Sequence, residues 1–147
     1  MIRILSTFLF LFLAINLVAQ VPQSMSYQAV IRNGSNSLVQ EGAVGVRISI
    51  LQGTPAGTEV YQETHLATTN VNGLLTMEIG MGTAVVGSFP SIPWENGPYY
   101  IQSEVDPAGG TNYTITTTSQ LLAVPYALHA KTSSDAARIK TLIYTGF

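Results

Sequence analysis

Three side chains that can bind metals or transfer protons occur at alternate positions of one segment: Tyr61, Glu63 and His65. Alternate residues of a β-strand point to the same face, so these three side chains would share one face. A carboxylate and an imidazole on one strand are a weak metal signal, because a metal centre needs more ligands from other segments. The pattern favours a solvated polar face, and we predict no metal ligand and no cofactor ligand.

Acidic residues supply two further candidates for chemistry. Glu78 and Glu104 could act as the carboxylate pair of a glycoside hydrolase, but the sequence does not fix their separation near the ~5–9 Å that such a pair needs. Glu104 and Asp106 precede Asn112 and could offer oxygen ligands to calcium. The order Asp-Pro-Ala-Gly-Gly over residues 106–110 is more typical of a turn. No catalytic residue emerges, so we expect that the protein is not an enzyme.

Aromatic residues give the one candidate ligand site. Those that could form a stacking platform for a sugar are Trp94, Tyr99, Tyr100 and Tyr113. Tyr99 and Tyr100 lie on opposite faces of a strand, so at most one of them belongs to the platform, and the predicted site is Trp94 with Tyr99. Core packing is the favoured role for most of these aromatic residues. Phe89, Ile92 and Trp94 would then fold a long loop over the sheet as a hydrophobic lid, and Trp94→Ala would cost about 3–5 kcal/mol.

The composition excludes several classes of protein. The chain has no cysteine, which excludes disulfides, thiolate zinc sites and cysteine nucleophiles. Eight acidic and six basic residues give a net charge of −2, whereas a nucleic-acid-binding protein needs a basic stripe. Gly80 and Gly82 do not open a helix, so they do not predict a nucleotide site.

The segments that must position these residues alternate between apolar and polar with period two, which is typical of strands with one buried face. Six such segments are recognisable, at residues 26–32, 44–50, 59–69, 75–81, 99–105 and 113–124. Turn residues separate them, including Asn33-Gly34 as a type I′ signal, and no crossover helix is present. We predict an all-β fold, an antiparallel β-sandwich of about six to seven strands, with a small barrel as the alternative.

The N-terminal residues indicate export. Residues 4–19 are almost entirely apolar after the single base Arg3. Such a run spans about 24 Å as a helix, which is shorter than the ~30 Å core of a membrane, and is typical of a secretory signal. We predict a signal peptide over residues 1–19, with an uncleaved anchor as the alternative. Residues 20–125 would form the sandwich domain, with no membrane span after cleavage.

Residues 126–147 predict a short helical tail or the start of a stalk or linker. Ile139, Leu142 and Ile143 lie at helical spacing on one face of this tail. A helix this short is not stable alone, so its apolar face needs either its own sheet or other copies of the chain. We predict that these three residues form an assembly seam, for example in a homotrimer.

Short motifs occur in a distinctive order along the chain. They are Ser-Tyr-Gln-Ala-Val-Ile-Arg at residues 26–32, Tyr-x-Glu at 61–63, Ile-Gly-x-Gly at 79–82, Gly-x-Phe-x-x-Ile-x-Trp at 87–94, Asp-Pro-x-Gly-Gly at 106–110, and Leu-Leu-x-Val-Pro-Tyr-Ala at 121–127. In this order they resemble the N-terminal β-rich domain of secreted and surface proteins of Bacteroidota-type bacteria, over roughly residues 22–131. In that family collagen-like or tail-fibre-like regions often follow the domain. The resemblance implies no catalytic activity and no catalytic residues.

These observations lead to two functional expectations. The first is a non-catalytic, exported cell-surface module, the base or adapter of a fibre- or adhesin-like protein. Its partners would be further copies of itself or components of a surface fibre, and its location extracellular or the outer cell surface, with the periplasm as an alternative. The second is an extracellular glycan-binding module that uses the platform around Trp94.

Overall fold

A computed structural model describes residues 23–122 of the chain. This part contains seven strands: β1 (Met25–Val30), β2 (Ala43–Gln52), β3 (Thr58–Thr68), β4 (Leu74–Ile79), β5 (Thr83–Val86), β6 (Tyr99–Asp106) and β7 (Ile115–Gln120). Short 3₁₀ turns lie at Phe89–Ser91 and Trp94–Asn96. The predicted signal peptide, the predicted tail and its seam residues Ile139, Leu142 and Ile143 lie outside the described residues.

The strands form two antiparallel sheets, which confirms the predicted β-sandwich. The larger sheet has the order β5-β3-β2-β6-β7, and the smaller sheet pairs β1 with β4. The sheets are separate layers rather than one closed barrel. Within residues 23–122, no helix is long and apolar enough to cross a membrane.

The core lies between the two sheets and is centred on β2. Four β2 side chains of the inner face are fully buried: Val44, Val46, Ile48 and Ile50. Leu75, Met77 and Ile79 of β4 pack against them from the smaller sheet. The period-two pattern of the sequence therefore located the buried faces of both strands correctly.

The region after β4 differs from the sequence prediction. The predicted strand continues to Met81, but β4 ends at Ile79 because Gly80 turns the chain with a φ of 99°, and Met81 is exposed. Residues 83–86, which lie in none of the six predicted segments, form β5 at the edge of the larger sheet. All four residues of β5 are exposed, so the strand has no buried face that would produce period-two alternation.

The turn at Asn33 also differs from the predicted type I′ turn. The carbonyl of Asn33 accepts a hydrogen bond from the N–H of Asn36, and the positive φ lies at Asn36, not at Gly34. The side chain of Asn33 accepts further hydrogen bonds from the N–H groups of Ser35 and Ser37. An asparagine side chain that bonds the backbone in this way builds a wider loop than a two-residue hairpin turn.

The described chain begins and ends at the same end of the sandwich. Gly80 lies close to both Gln23 and Phe89, since a Cβ on it would come within 2.7 Å of the Gln23 carbonyl and 2.9 Å of the Phe89 ring. At the other terminus, the N–H of Leu121 donates to the carbonyl of Tyr99 at 2.9 Å. The Tyr99 ring contacts Trp94, which in turn contacts Phe89, so both termini adjoin the same row of aromatic rings. We call this the terminal end. The distal end is the opposite one, where Gly45 pairs with both Leu66 and Asp106.

Candidate functional site

The side chains of Tyr61, Glu63 and His65 share one face of β3, as the sequence predicts, but that face is not solvated. They pair in register with Ile50, Ile48 and Val46, so they point into the space between the sheets. The exposed fraction of the Glu63 side chain is 0%, and that of His65 is 13%. The predicted solvated face is wrong because the neighbouring β4–β5 connection covers it.

Glu63 holds this connection through both of its carboxylate oxygens. Oε1 accepts the N–H of Gly80 at 2.9 Å, and Oε2 accepts the N–H of Gly82 at 2.7 Å. The Tyr61 hydroxyl donates to Oε2 at 2.9 Å. The His65 Nε2 lies 3.0 Å from Oε1, without the alignment of a hydrogen bond. We call Glu63 with these neighbours the Glu63 cluster.

Glu63 is ionised in its buried position because its neighbours compensate for the loss of water. Burial by itself raises the pKa of Glu63, but the contacts from His65, the Gly80 amide, the Tyr61 hydroxyl and the Gly82 amide together hold that pKa below its ordinary value. Burial, and then the hydrogen bond to Glu63, raise the pKa of Tyr61, which keeps its hydroxyl a donor. A carboxylate saturated with donors is suited to anchor a loop rather than to abstract a proton.

The glycines of the β4–β5 connection permit this arrangement. A Cβ on Gly82 would come within 2.5 Å of the His65 Nε2 and 2.7 Å of the Glu63 Oε2. Only a residue without a side chain therefore lets the backbone amide reach the carboxylate. The sequence analysis missed the role of Gly80 and Gly82 as partners of Glu63, since backbone amides leave no side-chain signal.

The candidate calcium ligands are used within the protein. Glu104 accepts two hydrogen bonds from Arg47, at 2.6 and 2.7 Å, and this contact raises the pKa of the guanidinium. Asp106 is buried, and its two oxygens accept the N–H groups of Ala108 and Asn112, each at 2.9 Å. The predicted turn over residues 106–110 is confirmed. Over residues 23–122, no group of three or more His, Cys, Asp or Glu side chains is placed to hold a metal ion.

Glu78 and Glu104 are not brought together. Glu78 is exposed on β4, on the face opposite the buried Leu75, Met77 and Ile79. Glu104 lies on the outer face of the larger sheet, opposite the inner side chains of Ser103 and Val105. Both sheets of the sandwich separate the two carboxylates, which therefore cannot flank one glycosidic bond.

The structure brings Trp94 and Tyr99 together at the terminal end but gives them different exposures. Their rings meet edge to face with centroids 5.2 Å apart, and Phe89 contacts Trp94 similarly at 5.6 Å. Tyr99 is 4% exposed, and its hydroxyl donates to the Pro93 carbonyl at 2.6 Å. Trp94 is 41% exposed. Phe89 and Ile92 are buried and form the expected lid, whereas Trp94 lies at the edge of this lid and is partly exposed.

A groove of about 320 Å³ lies at the distal end and was not anticipated from the sequence. The side chains that line it come from β3, from β5 and from the loop after β6: Thr64, His65, Leu66, Thr83, Thr111 and Tyr113. These segments are far apart in the chain, and β5 itself was not predicted. The signal that could have located it is Gly45, a glycine inside an otherwise strongly apolar strand, which indicates a close backbone approach.

The fold defines a β-sandwich module in which two buried carboxylates, Glu63 and Asp106, accept hydrogen bonds from loop amides. Residues 26–120 match a family described as a domain of unknown function (DUF8740), which spans more than half of the chain. The chain belongs to this family. No curated protein and no solved structure matches it.

Proposed function

We propose that the chain is a non-catalytic, exported module that serves as the base or adapter of a fibre- or adhesin-like protein at the outer cell surface. The observation that carries this proposal is the position of Gln23 and Leu121 at the same end of the sandwich. A module attached through one end can present its opposite end to a partner.

The use of the acidic side chains supports the non-catalytic part of the proposal. Glu63 and Asp106 are buried and hold loop amides, and Glu104 pairs with Arg47. A catalytic carboxylate must reach a substrate proton or a reacting atom, and these three are occupied by the fold itself.

The terminal end carries exposed apolar side chains where a stalk would continue. Leu122, the last described residue, is 79% exposed, and Trp94 lies in the same region. Residues 123–147 follow directly from this point. Assembly of several copies through the tail would bury such side chains and provide a favourable free energy.

The experiment that tests this function is light scattering coupled to size exclusion on residues 20–147. We expect a trimer, and a monomer when glutamate replaces the three seam residues, Ile139, Leu142 and Ile143. The matched control adds the same charge off the seam, with glutamate at Ser133, Ser134 and Thr141, and should remain trimeric.

A monomeric unaltered chain, or equal loss of assembly in both variants, would contradict the seam. Protease treatment of intact cells that express the full chain then distinguishes the outer cell surface from the periplasm. Cleavage of the protein by external protease supports the outer surface, and protection until the outer membrane is opened supports the periplasm.

A second candidate function is glycan binding at Trp94, which its exposure favours. Phe89 and Tyr99 contact the indole edge to face and orient it, while 41% of Trp94 remains exposed. We expect Trp94→Ala to abolish binding on a glycan array. The control is Tyr100→Ala, which removes the half-buried tyrosine next to Tyr99 in β6 and should retain binding. Binding that survives Trp94→Ala would exclude this site.

A further inference from the structure

We propose that the distal groove binds a neutral saccharide, with Tyr113 as its stacking surface and threonine hydroxyls as its hydrogen-bonding groups. This site lies at the opposite end of the sandwich from Trp94 and is independent of the base or adapter role. The argument rests on how the groove is built, on its charge and on the kind of polar group that lines it.

Three threonines from different segments converge on the groove. Thr64 of β3 pairs in register with Thr83 of β5, so the two hydroxyl-bearing side chains are neighbours on one face of the sheet. Thr111 approaches from the loop after β6. A threonine hydroxyl both donates and accepts hydrogen bonds, and it therefore matches the hydroxyl groups of a sugar in either direction.

The ring of Tyr113 is held in place by charged groups beneath it. The Arg47 Cζ lies 4.5 Å from the ring centroid, within the range of a cation–π contact. Glu104 fixes that guanidinium through two hydrogen bonds. A ring oriented before binding loses little conformational freedom when a ligand stacks on it.

The loop that carries Thr111 and Tyr113 is also fixed. Asp106 accepts hydrogen bonds from Ala108 and Asn112, which ties the loop to the end of β6. The backbone of Gly110 packs directly on Gly45, where any Cβ would overlap the Gly110 carbonyl. The groove therefore exists before a ligand binds, as is usual for small-molecule sites.

The charge of the lining points away from ionic ligands. In the described part of the chain, the groove residues include no Asp, Glu, Lys or Arg, and the side chain of His65 is largely buried against Glu63. Arg47 lies behind Tyr113 and is paired with Glu104, so it does not offer a free cation to an anion. Hydroxyls beside one aromatic ring suit a neutral, polyhydroxylated ligand.

The test is isothermal titration of the mature chain with four neutral pentasaccharides, cellopentaose, laminaripentaose, maltopentaose and chitopentaose. We expect at least one to bind, and Tyr113→Ala to weaken its affinity at least about tenfold. Thr64→Val keeps the side-chain shape without the hydroxyl and should weaken binding about threefold to tenfold. Tyr113→Phe and the control Tyr100→Ala should bind as the unaltered chain does.

The single tryptophan distinguishes this site from the one at Trp94. Binding in the distal groove should leave the fluorescence of Trp94 unchanged, because the indole lies at the other end of the sandwich. The proposal is overturned if none of the four probes binds at millimolar concentration. It is also overturned if binding is lost in Trp94→Ala but unaffected in both Tyr113→Ala and Thr64→Val. If Tyr113→Ala does not fold, the affinity of Thr64→Val is the test.

Discussion

Replacing Glu63 with glutamine is expected to lower the free energy of unfolding by about 3–5 kcal/mol, the sum of a lost hydrogen bond to a charged group and an unsatisfied buried donor. The carboxylate accepts backbone hydrogen bonds on both oxygens, from Gly80 and from Gly82. A glutamine side chain has one acceptor oxygen, so its NH₂ group would face one of these N–H donors. The substitution therefore loses a charge-assisted hydrogen bond and leaves a buried donor without a partner.

Chemical denaturation measures this cost, and Glu78→Gln is the matched control. Glu78 undergoes the same chemical change on an exposed position of β4, where it accepts one hydrogen bond from Ser24. We expect the control to change the free energy of unfolding by less than about 0.5 kcal/mol. Equal effects of the two substitutions would show that the Glu63 cluster does not stabilise the fold.

The pH dependence of stability should change in the same variant. The folded-state pKa of Glu63 lies below its ordinary value, so its ionisation favours the folded protein. This contribution is complete above the ordinary glutamate pKa of about 4.3 and is lost as the pH falls through the lower folded-state pKa. The free energy of unfolding should therefore decline less steeply with acid in Glu63→Gln than in the unaltered chain.

The Glu63 cluster also shows where sequence reasoning stops. The spacing of Tyr61, Glu63 and His65 correctly predicts one shared strand face. Their polarity suggests that this face meets water, and the structure places it between the sheets. The deciding partners are the amides of Gly80 and Gly82, and an amide is present at every residue except proline, so no side-chain pattern marks them.

Burial of alternate side chains also explains why six strands were predicted from the sequence and β5 was not. The inner face of β2 is wholly buried, and burial of alternate side chains is what produces a period-two pattern. β5 has no buried residue and forms by backbone pairing with β3 alone. The distal groove depends on β5 and on the packing of Gly110 against Gly45, so it follows from tertiary contacts that local patterns do not encode.

Phe89→Ala is expected to cost about 3–5 kcal/mol, the effect that the sequence alone assigns to Trp94. Phe89 is 6% exposed and contacts Tyr61 and Trp94 edge to face, with centroids 5.4 and 5.6 Å away. Its removal would leave a cavity between β3 and the loop that follows β5. Trp94 is 41% exposed, so Trp94→Ala should cost only about 1–2 kcal/mol.

Urea denaturation followed by far-UV circular dichroism measures both variants with one signal, and Phe89→Leu is the control that refills most of the volume. We expect the leucine variant to recover more than half of the loss in Phe89→Ala. A larger cost for Trp94→Ala than for Phe89→Ala would place the indole, and not the phenyl ring, at the centre of the lid. If the expected order is observed, Phe89 contributes mainly to the stability of the fold, whereas Trp94 contributes less. The exposed ring of Trp94 at the terminal end would then be available as an assembly contact or a glycan platform.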